Sequence, residues 1–322
     1  MPTEKPALAI TRRLPGPVED RARRDYRAVL NESDEPWTPA DWSEHTRDVD
    51  GVLCTVTDSV NAPIIAALPE RVRILATFSV GYNHIDVAAA KRRGIVVTNT
   101  PDVLTDATAD IAMLLLLGTA RRAGEGETMM RTRSWPGWAP THLLGTHVNG
   151  KTLGIVGLGR IGSAVARRAV AFGMQIRYLA RAAKPTVGFA AIHHPDEATF
   201  WPACQFVSVH LPTNAGTRGF LNAARLAQLP RGAIVVNTAR GEIVDDDALI
   251  AALRSGHLGG AGLDVYTGEP DFRAEYAQIP HTFLLPHLGS ATFETRCAMG
   301  FRALDNLDAF FAGRPAPDPV SR

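Results

Sequence analysis

The sequence predicts an α/β protein of two domains, each built on a parallel sheet, and three observations carry the prediction. The chain has 322 residues, enough for two ordinary cores. Short apolar runs rich in β-branched residues alternate with longer helical patterns, and strand–helix alternation is the pattern of parallel sheets. The apolar runs are continuous rather than alternating, as strands must be when helices cover both sheet faces.

The candidate strands are residues 8–10, 52–55, 74–77, 95–98, 153–156, 176–179, 206–210, 234–237, 262–265 and 283–285. Residues 106–122 read as one long helix, polar at its start and ending on Arg121 and Arg122, a charge order that suits the helix dipole. A second helical pattern follows Thr292, with Phe293, Met299, Phe301, Leu304, Leu307 and Phe310 on it. It would carry the chain back onto its first piece. This places one domain at about 104–290 and the other in two pieces, about 1–103 and 291–322.

Composition excludes several classes. Hydrophobic residues make up 45% and charged residues 21%, which is globular usage without fibrous or disordered bias. A formal net charge of +1 gives no field for nucleic acid or an acidic membrane. Cys54, Cys204 and Cys297 form no pair, which favours a reducing compartment and provides no metal-ligand cluster. The stretch from Met1 to Arg13 lacks the apolar core of a signal peptide, and the longest apolar run is too short to span a bilayer. A cytoplasmic protein is expected.

Gly157-Leu158-Gly159-Arg160-Ile161-Gly162 follows the strand at 153–156 and opens a helical pattern running to about residue 172. A GxGxxG alone is weak evidence; between a strand and a helix it specifies a Rossmann-like dinucleotide site. The first glycine makes the turn, the second admits the pyrophosphate, and the third lets helix and strand pack closely. The phosphates then meet the unpaired N–H groups of the helix N-terminus. An NAD site should carry Asp or Glu about twenty residues beyond the glycines to bind the ribose hydroxyls. Here Ala180 stands at that place, followed by Arg181 and Lys184. A guanidinium pairs with a 2′-phosphate that a carboxylate would repel, so NADP(H) is expected over NAD(H). Arg181 and Lys184 also fit an ordinary solvated surface.

Three later segments deliver a polar residue just beyond a buried strand. They are Arg240 in Ile234-Val235-Val236-Asn237-Thr238-Ala239-Arg240, Glu269 in Asp264-Val265-Tyr266-Thr267-Gly268-Glu269-Pro270, and His287 in Phe283-Leu284-Leu285-Pro286-His287. Ligands of open α/β sheets bind at the carboxyl ends of strands. Arg240 offers forked donors to an α-keto carboxylate. An imidazole exchanges protons near neutral pH, so His287 could protonate a carbonyl oxygen as hydride arrives. Glu269 would accept the other imidazole N–H and stabilise the imidazolium. Singly each has a bland reading; the ordered trio beside a dinucleotide fold does not.

With these residues stated, the chain resembles the D-isomer-specific 2-hydroxyacid dehydrogenases, and among them the glyoxylate/hydroxypyruvate reductases. The resemblance runs from about Gly51 onward. It includes Ser79-Val80-Gly81-Tyr82-Asn83-His84-Ile85-Asp86, Asn99-Thr100-Pro101-Asp102, the glycine motif, and Pro286-His287-Leu288-Gly289-Ser290. It implies two Rossmann-like or flavodoxin-like domains with the active-site cleft between them, the 104–290 domain binding the dinucleotide and the other the substrate. It implies Arg240, Glu269 and His287 as catalytic residues, Val80 and Gly81 N–H groups on the substrate carboxylate, and Leu53 over the substrate. It places Thr108, Leu211, Pro212, Thr217, Thr238, Ala239, Asp264, Gly289 and Ser290 near the cofactor or substrate. The loop Trp135-Pro136-Gly137-Trp138-Ala139-Pro140 resembles a segment that reaches into a partner subunit, which implies a homodimer with Trp138 in the neighbouring pocket; simple packing of Trp138 fits as well.

Two departures stand out. Gln205 occupies a position where Asp is expected, and residues 271–279 lack a usual Pro-Leu pair. Other readings within the architecture are a phosphite, formate or phosphoglycerate dehydrogenase, or a dinucleotide-sensing binding protein like the C-terminal-binding co-repressors. The tryptophan loop favours the keto-acid reductases, with a small 2-keto or 2-hydroxy acid as the only partner besides cofactor and second subunit.

Overall fold

The computed structural model describes residues 5–320. The chain divides into two units, Met1–Leu104 with Ala291–Arg322, and Thr105–Ser290.

The first unit holds a five-stranded sheet of β1 (Ala7–Ile10), β2 (Arg27–Leu30), β3 (Gly51–Cys54), β4 (Ile74–Thr77) and β5 (Val96–Thr98), ordered β2-β1-β3-β4-β5. All pairings are parallel, and the order is that of flavodoxin-like sheets. The central strands β1, β3 and β4 are buried at every residue, which explains their continuous apolar sequences. β2 was not expected. It is an edge strand whose residues are only partly covered, Ala28-Val29-Leu30 behind Arg27. The helix Phe293–Phe311, capped by the Thr292 side chain, buries Cys297, Ala303, Leu304 and Leu307 in one core with Leu8, Ile10 and Ile74. The segment after it is tied to the same unit by the Val320 amide on the Val97 carbonyl (2.8 Å) and by paired Arg302–Asp318 hydrogen bonds of 2.6 and 2.8 Å.

The second unit holds β6 (Thr152–Val156), β7 (Gln175–Leu179), β8 (Ala191–His194), β9 (Phe206–Val209), β10 (Ala233–Asn237), β11 (Leu258–Leu263) and β12 (Thr282–Leu284). Their order is β12-β11-β10-β9-β6-β7-β8, parallel throughout. Counted within the unit, this is the doubly wound dinucleotide-binding order with one added edge strand, and the order reverses between β6 and β9.

Three expectations need correction here. β8, another half-covered edge strand, was missed. β11 runs over residues 258–263 rather than 262–265, its start masked by Gly259 and Gly260, which are weak strand formers. They are strand glycines with a packing role. A Cβ on Gly260 or Gly262 would lie 2.6 or 2.8 Å from Thr119, so the covering helix sits directly on the strand. That helix is Thr105–Ala120, shorter than expected. Arg122 has φ +54 and starts a separate helix, Ala123–Arg131, so Arg121 and Arg122 lie past the end they were expected to charge. Gln205 proves structural: its side-chain oxygen accepts the Thr152 N–H at 2.9 Å and its carbonyl accepts Ile234 N–H. In the 271–279 stretch, buried Tyr276 donates to Asp246 at 2.6 Å and supplies the packing. Among the described residues no helix is long and apolar enough to cross a membrane, and no cluster suits a metal ion.

Candidate active site

At the carboxyl end of β6 the three glycines meet three different surroundings. Gly157 has φ +95, and a Cβ on it would lie 2.8 Å from the His210 carbonyl oxygen. Nothing lies within 4 Å of a Cβ on Gly159, which leaves its backbone open to approach. A Cβ on Gly162 would stand 2.4 Å from the Gly157 carbonyl oxygen, so the helix Arg160–Ala171 closes tightly on the turn. Turn, open approach and close packing are what a pyrophosphate needs of these positions. Leu211 borders the loop, its side chain 3.0 Å from the Gly157 Cβ position. The buried hydroxyls of Thr213 and Thr238, beyond β9 and β10, find no partner among the described residues. Buried polar atoms of this kind await a ligand or water. The residues present therefore fit a dinucleotide.

Other residues expected near the cofactor spend their polar atoms on the fold. The Thr108 hydroxyl donates to the Gly289 carbonyl at 3.1 Å. The Thr217 hydroxyl donates to Pro212 O (2.6 Å) and accepts Asn214 N–H (2.8 Å), closing that turn. Asp264 is 1% exposed, and its oxygens accept the N–H groups of Leu288 (2.6 Å) and Gly289 (2.8 Å). It holds the loop that carries His287. Burial pushes Asp264 up to about 6, against those two N–H groups and the charge of His287.

The trio of the second unit is assembled by backbone turns. Asn237, at the end of β10, accepts Ala239 N–H (3.0 Å) and donates to Arg240 O (2.9 Å), folding the turn that presents Arg240. A Cβ on Gly241 would fall 2.0 Å from the Tyr266 carbonyl carbon. Only glycine lets the Arg240 turn lie against the segment carrying Glu269. The Glu269 carboxylate is gripped on both oxygens, by Tyr266 N–H at 2.7 Å and by His287 Nδ1 at 2.7 Å. A carboxylate only accepts, so Nδ1 carries the hydrogen and Nε2 is left for other chemistry. Burial works to raise Glu269, but the His287 hydrogen bond and charge, the Tyr266 amide and the Arg240 charge outweigh it and hold the group below its usual range. Burial lowers Arg240 from the ordinary guanidinium value, opposed by Glu269 and Glu242. His287 itself has φ +55, a left-handed backbone that a non-glycine residue keeps only where its surroundings impose it.

In the first unit, Val80 O accepts from Asn99 (2.8 Å) and Gly81 O from Ser79 (2.5 Å). Both carbonyls are occupied, while the two N–H groups have no partner among the described residues. Leu53 needs correction. It is 0% exposed, in the core with Leu8 and Ile74, and so faces the interior rather than a ligand. Side chains alternate along a strand, and the first exposed residue past β3 is Val56. Ala180 and Ser290 are half-buried and Arg181 exposed. Trp138 is 82% exposed, with Met130, Trp135 and Leu144 also exposed nearby.

The model of the D-isomer specific 2-hydroxyacid dehydrogenase NAD binding domain matches residues 113–289. A glycerate dehydrogenase of Hyphomicrobium methylovorum is 44% identical over 96% of this chain and 97% of its own. The chain belongs to the D-isomer specific 2-hydroxyacid dehydrogenase family. A second member, a glyoxylate reductase of Thermococcus litoralis, is 40% identical over 99% of this chain and 97% of its own. The solved NADPH-dependent glyoxylate/hydroxypyruvate reductase of Sinorhizobium meliloti, in complex with NADP and malonate, superposes with a TM-score of 0.89 at 36% identity, covering 99% of this chain and 97% of that one. This dehydrogenase is therefore an oxidoreductase with an NAD-binding domain.

The sequence reading did not assign the turn and anchoring roles of Asn237, Gly241 and Asp264. Gly241 and Asn237 are visible in hindsight as a glycine and an Asx-type residue flanking Arg240. The anchoring duty of Asp264 had no local signal, because its partners lie 24 and 25 residues away.

Proposed function

We propose that this dehydrogenase reduces glyoxylate and hydroxypyruvate to glycolate and D-glycerate, with NADPH preferred over NADH. The observation that carries the chemistry is the His287 Nδ1–Glu269 contact of 2.7 Å beside Arg240 in a dinucleotide-binding unit. A bound NADPH supplies the hydride. His287 holds the proton that its Nε2 delivers to the developing alkoxide oxygen, and Glu269 orients the ring and stabilises the imidazolium before transfer. Arg240 takes the keto-acid carboxylate and carbonyl oxygen. In the oxidative direction His287 removes the hydroxyl proton.

Support for the substrates comes from the names of the relatives. Support for NADPH comes from Ala180 standing where an acidic residue would bind ribose, with the cations of Arg181 and Lys184 beside it. The exposed Met130, Trp135, Trp138 and Leu144 support a homodimer in which this arm packs on a second copy.

The deciding experiment is a matrix of NADPH and NADH oxidation against glyoxylate, hydroxypyruvate and pyruvate. Turnover of the first two with NADPH is expected. NADH used at least as well as NADPH would overturn the cofactor reading, and no turnover with either acid the substrate reading. Binding of NADPH without turnover would point to a sensor instead. Sedimentation of Trp138→Ala beside wild type tests the arm: an unshifted dimer would remove Trp138 from the interface.

A further inference from the structure

The segment joining β7 to β8 is fastened at two points by side chains outside the expected site. Tyr178, in β7, is 2% exposed; its hydroxyl accepts the Lys184 N–H at 2.9 Å and lies 3.4 Å from the Lys184 carbonyl oxygen. His193, in β8, places Nε2 2.9 Å from the Ala180 carbonyl oxygen. A carbonyl only accepts, so His193 donates. Tyr178 and His193 are directly paired in the sheet register, and their rings stack with centroids 4.9 Å apart and 25° between planes. One side chain thus holds the backbone where the turn leaves β7, and the other holds it at Lys184. The Arg181 and Lys184 side chains between and at these fixings stay exposed.

The neighbouring histidine stiffens the same edge. Arg177 Nη1 donates to His194 Nε2 at 3.0 Å, and His194 Nδ1 donates to Thr199 at 2.9 Å. Edge strands fray more readily than central ones, and β8 is the last strand on this side of its sheet. Two fastened histidines counter that tendency beside the turn.

We infer that the Tyr178–His193 pair is a positioning clasp for the 2′-phosphate of the dinucleotide, setting the 180–184 turn so that Arg181 and Lys184 present their cations to it. This rests on the NADPH reading above. A turn ordered before binding loses less entropy when the phosphate arrives, so the clasp acts on NADPH and leaves NADH, which lacks that phosphate, nearly untouched. Tyr178 and His193 are positioning residues and need not touch the cofactor.

The test uses the full chain and four variants, Arg181→Ala, His193→Ala, His193→Gln and Tyr178→Phe, with kcat and KM for NADPH and NADH, melting temperature, and calorimetric binding of 2′,5′-ADP. His193→Ala should raise the NADPH KM and weaken 2′,5′-ADP about five- to tenfold, the scale of one lost positioning contact. The NADH KM and kcat should stay within about twofold. His193→Gln, which keeps an N–H donor for Ala180, should recover most of the loss. Tyr178→Phe keeps the ring and releases only Lys184, so it reports on the clasp even if His193→Ala folds poorly; it should move NADPH in the same direction. Equal KM increases for both cofactors, or none for NADPH, overturn the clasp. If Arg181→Ala collapses the NADPH:NADH preference while the clasp variants do not, the clasp alone fails. If Arg181→Ala leaves the preference unchanged, the cofactor reading fails and the clasp falls with it.

Discussion

The carbonyl of Asp264 accepts the N–H of His287 at 2.9 Å, and the Asp264 carboxylate takes the next two N–H groups along the chain. One buried residue at the end of β11 therefore sets the backbone of the loop beyond β12, including the φ of +55 at His287. That backbone aims the imidazole at Glu269. The His287–Glu269 contact is thus built on a third residue, Asp264.

Asp264→Asn should separate anchoring from stability. The amide keeps one acceptor and turns an NH2 toward the other backbone donor, a loss of about 1–3 kcal/mol. Asp264 is pushed up to about 6, so between the ordinary Asp range and that value the folded protein binds more protons here than the unfolded chain. Its charge therefore opposes folding above about pH 6, and removing it offsets part of the lost acceptor. At pH 7.5 the melting temperature should change little while kcat falls about ten- to a hundredfold, as expected for a misplaced catalytic group. An unchanged kcat would show that the loop holds without the carboxylate.

His287→Ala should lower kcat by about 10²–10⁴, the usual range for a lost general acid. Its Kd for NADPH, measured by fluorescence titration, should move less than about threefold. Equal losses in turnover and affinity would assign His287 to cofactor binding.

The glycines of the 157–162 turn should behave oppositely. Gly159→Ala meets open space, so its melting temperature should match wild type while the NADPH KM rises about tenfold or more, the Cβ standing where the pyrophosphate approaches. Gly162→Ala puts a Cβ 2.4 Å from the Gly157 carbonyl and should destabilise by about 1–3 kcal/mol. Thermal unfolding and cofactor titration of both variants check the pair; loss of stability in Gly159→Ala would remove the phosphate argument.

His194 predicts an acid-side loss of stability. Burial first, then the charges of Arg177 and His193, lower it from the ordinary histidine value. The folded protein therefore binds fewer protons here than the unfolded chain, so this contribution is complete above about pH 6.5 and declines as the pH falls below it. His194→Asn should flatten the fall in melting temperature as the pH drops below about 6.5. An unaltered slope would place the titration elsewhere.

Much of this was legible in the sequence because it is local. Continuous apolar runs marked the central strands, where both faces are covered, and the glycine turn announced itself by spacing. β2 and β8 were hidden, since these half-covered edge strands place short apolar stretches beside arginine or histidine, and the start of β11 was hidden by Gly259 and Gly260, the latter leaving room for Thr119 from a helix far away in the chain.

Residue identity alone singled out Arg240, Glu269 and His287 and the absence of an acid at Ala180, because function groups and missing charges are written one position at a time. Only the tertiary structure decided that Leu53 is core, that Asp264 anchors the His287 loop, and that Tyr178 and His193 fasten the 180–184 turn. Those facts depend on which strands become neighbours and in what register. Register follows from the packing of the whole sheet, and no short stretch of sequence contains it.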